Sequence, residues 1–249
     1  MDGNMTWSIT ARDPISGAFA VAVATKAFAV GAHCPFVRSG TGAVSTQSMT
    51  NRYLGPAILN NLARGLPPDA AIEGALAGDG GRGIRQVHVV DQFGRTAAWT
   101  GDNCVDWCGS VAAEGISIAG NMLAGEATIR ETLRAWAAHD HLRMPERLMT
   151  AMIAGEAAGG DRRGKQSAAM VMVTTEDFPD LDLRVDDHEE PLSELSRLLG
   201  IWRTEGVPRL GMAPSKSNPS GFFDLDAIEA GWMARGLDLR FRRPTNPRG

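Results

Sequence analysis

Polar and apolar residues alternate with period two from Thr6 to Ala11, and the turn-forming run Arg12-Asp13-Pro14-Ile15-Ser16-Gly17 follows. That pattern marks a strand with one buried face leading into a tight reversal. Phe19 to Val23 is the return arm, rich in small residues and ending near Thr25-Lys26. Gly42 to Gln47 reads as another strand. Gly55-Pro56 opens a helix through Leu62 that Gly65 closes, and Pro67-Pro68-Asp69 opens a second that stops at Gly78. Gln86 to Val90, the turn Asp91-Gln92-Phe93-Gly94 and Arg95 to Thr100 make a second hairpin. Gly115 to Ala119 is a strand running into Gly120-Asn121-Met122-Leu123-Ala124-Gly125. Helices are predicted from Glu126 to about His139 and from Met144 to about Ala157. Gln166 to Thr174 is apolar enough for a strand buried on both faces. Leu181 to Val185 is a further strand, Pro191 to about Arg203 an amphipathic helix, and Phe222 to Arg235 one more helix.

Runs of strands and runs of helices, rather than strict alternation, predict an α+β fold. Two stacked, mainly antiparallel sheets with helices on both outer faces use every element. The expected organisation is an extension over residues 1–5, one large domain over 6–209 and an appendage over 210–249. Its last residues, Arg242 to Gly249, read as disordered.

The chain has 249 residues, of which 43% are hydrophobic and 22% charged, as in a globular protein with a sizeable core. A net charge of −4, without a basic run carrying aromatics, argues against nucleic acid as a partner. The longest apolar run, Ala18 to Ala24, is too short to span a bilayer, and the start lacks the charged head and apolar core of a signal peptide. Cys34, Cys104 and Cys108 form no zinc pattern and read as reduced thiols in a cytoplasmic setting. No metal and no cofactor are expected. Phe222, Phe223 and Trp232, apolar residues in a tail with little core of its own, favour a homo-oligomer, most simply a dimer.

Met5-Thr6 carries the most suggestive chemistry. A threonine exposed by removal of the preceding methionine holds a hydroxyl and a free α-amine on one residue, and the amine can serve as base for its own hydroxyl. Methionine removal requires a small second residue. A chain started at Met5 therefore exposes Thr6, whereas a chain started at Met1, with Asp2 next, retains the residues before it. The hairpin brings Lys26 back towards Thr6, either as a cation that tunes the amine or as a solvated strand-end lysine. Asn121 either stabilises a developing oxyanion or caps the following helix. The block Gly159 to Ser167 sets three cations around Asp161. There Arg162 or Arg163 could grip a substrate carboxylate, with Gln166 and Ser167 opening an otherwise apolar strand; the alternative is an exposed basic turn. In Arg184-Val185-Asp186-Asp187-His188, alternation along a strand argues against a metal site and for pairing of Arg184 with an aspartate or capping of the next helix.

Thr6 to Pro14, Ala29-Val30-Gly31-Ala32, Val44 to Gln47, Gly120 to Gly125, Gly159 to Ser167 and Arg184 to His188 together resemble the prokaryotic domain-of-unknown-function family 1028. The resemblance runs from Thr6 to about Arg209. It implies the four-layer αββα sandwich of the N-terminal-nucleophile hydrolases, whose members cleave amide bonds. It also implies Met5 as the natural start. In the expected mechanism Thr6 attacks a carbonyl of a small, carboxylate-bearing amide. Asn121 holds the oxyanion, Lys26 tunes the amine, and Gln47, Asp161, Arg162 and Ser167 bind substrate. The competing expectation is a non-catalytic small-molecule binder on the same fold.

Overall fold

The computed structural model describes residues 6–237. Ten strands form two antiparallel sheets. The hairpin read from the first alternating segment is β1 (Thr6–Arg12) and β2 (Phe19–Thr25), with Trp7 opposite Ala24. A turn then leads to β3 (Pro35–Arg38) and β4 (Gly42–Ser48), and helices α1 (Leu54–Ala63) and α2 (Pro68–Leu76) follow. Strands β5 (Arg85–Asp91) and β6 (Thr96–Thr100) make the second hairpin; β7 (Gly109–Ala113) and β8 (Ile116–Asn121) make a third. Helices α3 (Ala127–Ala138) and α4 (Met144–Ala157) precede β9 (Ser167–Val173), β10 (Leu181–Val185) and α5 (Pro191–Ile201).

One sheet has the order β10-β9-β2-β1-β8-β7 and the other β3-β4-β5-β6. Helices α1 and α2 cover the outer face of the four-stranded sheet, where Leu54, Ile58, Leu62, Ile72 and Leu76 pack on Val44, Val87 and Val89. Helices α3 and α4 lie against the other sheet. They approach each other closely at Gly155, where a Cβ would collide with Thr132 Oγ1, so no larger residue fits. The result is the expected four-layer sandwich, α on β on β on α.

Alternation along β1 decides which chemistry meets which layer. Trp7 turns towards α4, against Gly155 and Gly160, whereas Ser8 reaches Ser45 and His88 of the facing sheet. Strand β9 is buried along its whole length, as its composition required. Two strands escaped the sequence reading, β3 and β7. Both are sheet edges, short and half exposed, so neither carries a long alternating or apolar signal. The last helix is also shorter than its apolar pattern suggested. It spans Leu225–Met233, because Asp224 caps it by accepting from the amides of Asp226 and Ala227.

Contacts divide the chain into two units at Leu198/Leu199. The second holds the π-helical segment Trp202–Gly206 and helices α6 (Val207–Leu210) and α7 (Leu225–Met233), with Phe222 and Phe223 exposed. The expected extension over residues 1–5 and the run Arg242 to Gly249 lie outside the described residues. No helix among the described residues is long and apolar enough to cross a membrane.

Candidate functional site

One end of the sandwich collects almost every residue the sequence singled out. Strand β1 starts there at Thr6, β8 ends there at Asn121, β2 ends at Thr25, β4 at Ser48, and β9 starts at Ser167. Thr6 lies beside Asn121 in the β1–β8 ladder, and its hydroxyl donates to Thr25 Oγ1 at 3.4 Å. Its carbonyl accepts from Gln47 Nε2 at 3.3 Å and from Asn121 Nδ2 at 3.5 Å. Thr6, Gln47 and Asn121 are thus brought together, and all three are buried.

Behind Thr6 the two sheets meet through polar side chains. The Gln47 amide also donates to Gln86 Oε1 (2.8 Å) and to the Ala119 carbonyl (3.1 Å). Gln86 in turn accepts from Asn121 Nδ2 at 3.0 Å and donates to the Gly120 carbonyl at 2.8 Å. Ser8 donates to Gln47 Oε1 at 2.6 Å and lies 2.7 Å from His88 Nε2. Ser8 Oγ also lies 2.9 Å from Ser45 Oγ, and His88 Nδ1 lies 3.1 Å from Ser117 Oγ, the direction of each His88 bond being set by its tautomer. Burial pushes the His88 pKa down to about 3, so the ring is neutral at physiological pH. Ser8 and His88 have the spacing of a catalytic pair. Both residues are fully buried between the sheets, out of reach of a substrate.

Backbone strain marks the same end. Three non-glycine residues have left-handed φ among those described: Ala29 (56°), Ser48 (67°) and Met122 (50°). Ser48 directly follows Gln47, Met122 follows Asn121, and Ala29 lies in the turn after Lys26. Such conformations cost about 1–3 kcal/mol each and persist where the surroundings over-determine them, typically around functional sites.

The loop between α4 and β9 closes over this end. Asp161 is buried, accepts from the Lys26 amide at 2.7 Å and from the Arg163 amide at 2.9 Å, and pairs with the Arg163 guanidinium at 3.2 Å. Arg163, rather than Arg162, is therefore the partner of the carboxylate. Arg162 is exposed and donates to the Asp106 carbonyl at 2.9 Å. Ser167 donates to the Ala27 carbonyl and accepts from the Val30 amide at 3.1 Å, which pins the turn after β2. The Lys26 side chain is exposed and forms no ion pair among the described residues. Arg184 pairs with Asp186 at 2.9 Å, as one sequence reading held. The cysteines are free thiols. Burial raises Cys34 to about 12 and Cys108 to about 11, which keeps both protonated and poor as nucleophiles. No group of three metal-ligating side chains lies together among the described residues.

Ser8, Thr25, Ser45, Gln86 and His88 were not singled out from the sequence. Their signal was the two-residue spacing of Thr6-Ser8-Thr10, Ser45-Gln47 and Gln86-His88, which reads equally well as a solvated strand face.

A family profile described as "Family of unknown function (DUF1028)" matches residues 6–195. Among solved structures, protein SPO2555 from Silicibacter pomeroyi, itself assigned to DUF1028, is 30% identical with a TM-score of 0.82. That match covers 88% of this chain and all of the other. Anbu (ancestral beta-subunit) from Yersinia bercovieri matches at 11% identity and a TM-score of 0.36, over 84% of this chain and 98% of its own; a likeness that weak carries no argument. No curated protein matches the chain.

Proposed function

The chain belongs to DUF1028, and from that premise we propose that this member is an amidohydrolase with Thr6 as nucleophile, acting on a small amide that carries a carboxylate. The observation that carries the reading is the position of Thr6. It opens a central strand, its carbonyl is held by two side-chain amides, and strained turns follow both strands that supply them. Once the residues before Thr6 are removed, its α-amine and hydroxyl share one residue. The hydroxyl oxygen attacks the amide carbon while the amine takes the hydroxyl proton and passes it to the leaving amine. Water then cleaves the resulting ester and regenerates Thr6. Gln47 and Asn121 act in this scheme by fixing Thr6, and Asn121, by releasing its long bond to the Thr6 carbonyl, turns an N–H to the developing oxyanion. Lys26, at the end of the strand paired with β1, supplies positive charge to the amine. Asp161 and Ser167 hold the loop and turn that frame the entrance, where Arg162 meets the substrate carboxylate.

A second reading is a non-catalytic binder of small molecules. The complete burial of Thr6 favours it, since an attacking hydroxyl needs access. One experiment separates the two. A chain beginning at Thr6 is incubated with a metabolite mixture beside its Thr6→Ala counterpart. The hydrolase reading expects at least one amide to be consumed, with turnover lower by about four orders of magnitude or more in the variant. Ligand retention without consumption in both chains would favour the binder.

A further inference from the structure

The α4–β9 loop leaves a cavity of about 80 Å³ against the end of the six-stranded sheet, walled by Trp7, Thr25, Glu156, Asp161, Lys165 and Pro191. Lys165 Nζ lies 3.0 Å from Glu156 Oε1 and 2.6 Å from Glu190 Oε2, the latter on a half-exposed side chain outside the lining. Asp161 is matched separately by Arg163 at 3.2 Å. One acceptor of the lining is left over: Glu156 Oε2 is buried and has no hydrogen-bond partner among the described residues. A carboxylate oxygen is an acceptor only, and leaving one buried without a donor is costly. The missing group is a hydrogen-bond donor, and a cationic donor makes the strongest bond to a carboxylate.

We propose that this cavity binds a primary ammonium group, R–NH₃⁺, with Glu156 Oε2 accepting one of its N–H bonds and the first carbons of R lying against the Trp7 ring and Pro191. The volume agrees. It equals two to three waters at roughly 30 Å³ each, enough for an ammonium and one or two carbons. Thr25 lines the cavity and also takes the Thr6 hydroxyl bond, so a bound ammonium would sit next to the candidate nucleophile. On the hydrolase reading, and resting on it, the substrate is then an amide bearing a primary amine.

The binding itself is tested without any turnover. Methylammonium chloride is titrated into the full chain while amide and indole N–H resonances are followed by NMR, with potassium chloride and tetramethylammonium chloride at equal ionic strength as controls. Methylammonium is expected to shift the Trp7 indole and the Gly159 and Gly160 amides saturably. Tetramethylammonium, which has no N–H, should leave them unmoved. Glu156→Gln should weaken the methylammonium affinity by about tenfold or more, since the ammonium then faces a neutral amide oxygen in place of a carboxylate. The proposal is overturned if methylammonium acts no differently from potassium, or if a folded Glu156→Gln protein binds it equally well. Should that variant fail to fold, the three salts on the unaltered chain still decide. Methylammonium binding without amide turnover would leave the ammonium site standing and count only against the hydrolase reading.

Discussion

Where β2 and β9 face the four-stranded sheet, the seam between the sheets is filled by Phe19, Val21, Val171 and Val173 against Ala43 and Val90. Where β1 and β8 face β5, it is filled by Ser8, Thr10, Ser117 and Asn121 against Gln86 and His88. Both halves are buried. The first is held by area removed from water, roughly 25 cal/mol per Å², which is indifferent to direction. Each hydrogen bond in the second adds only about 1 kcal/mol net, yet loses about 1–3 kcal/mol when a buried partner is left unmet. None of the polar side chains named in that half leaves a buried atom unpartnered. The apolar half therefore supplies stability that tolerates change, and the polar half supplies position. Thr6 sits at the end of the polar half.

The largest expected effect sets His88 against Phe19. His88→Leu removes a ring bonded through both nitrogens and costs Ser8 and Ser117 a buried partner each. It should cost about 3–4 kcal/mol in urea unfolding, against less than about 1.5 kcal/mol for Phe19→Leu in the apolar half. Equal losses would break the comparison. Next comes Gln47→Met, close in shape but without donors. It leaves the Thr6 and Ala119 carbonyls short of a partner and should cost about 2–3 kcal/mol. It should also lower any Thr6-dependent turnover, because the residue is no longer fixed. A loss below about 0.5 kcal/mol would mean the amide does not hold Thr6.

The smallest step, taken per unit of pH, is in acid solution. His88 binds its proton near pH 3 in the folded chain and near 6.5 when unfolded, so the unfolded state holds more protons between those values. Stability is then fully present above about pH 6.5 and falls as pH drops towards 3, by at most about 1.4 kcal/mol per pH unit. Asp79, hydrogen-bonded by Arg85 and held well below the usual carboxylate range, adds a second loss only in more acid solution. Unfolding curves between pH 7 and 5 test the first window. His88→Leu should flatten it, and an unchanged slope in that variant would assign the loss elsewhere.

The fold was largely legible because its strong periodicities are local. The β1–β2 hairpin and helix α4 follow directly from alternation, turn residues and the Met144-Pro145 start. The edges β3 and β7 were not legible, since a short half-exposed strand needs no pattern of its own. Of the site, Thr6, Asn121 and the Asp161 loop could be found from residue chemistry. The polar seam could not. Sequence shows that Thr6, Ser8 and Thr10 share a face, but which face meets which is a property of two sheets stacked across long separations. The same reason left Arg162 and Arg163 interchangeable until the bonds to Asp161 and Asp106 distinguished them.

Everything proposed for Thr6 depends on a free α-amine there, and intact mass spectrometry of the protein isolated from its own host reads that directly. The account predicts a chain that begins at Thr6, confirmed by an N-terminal peptide whose amine can be labelled. A mass that still includes Met1 to Met5 would contradict it, removing the base from the mechanism and leaving the binder as the better reading of this site.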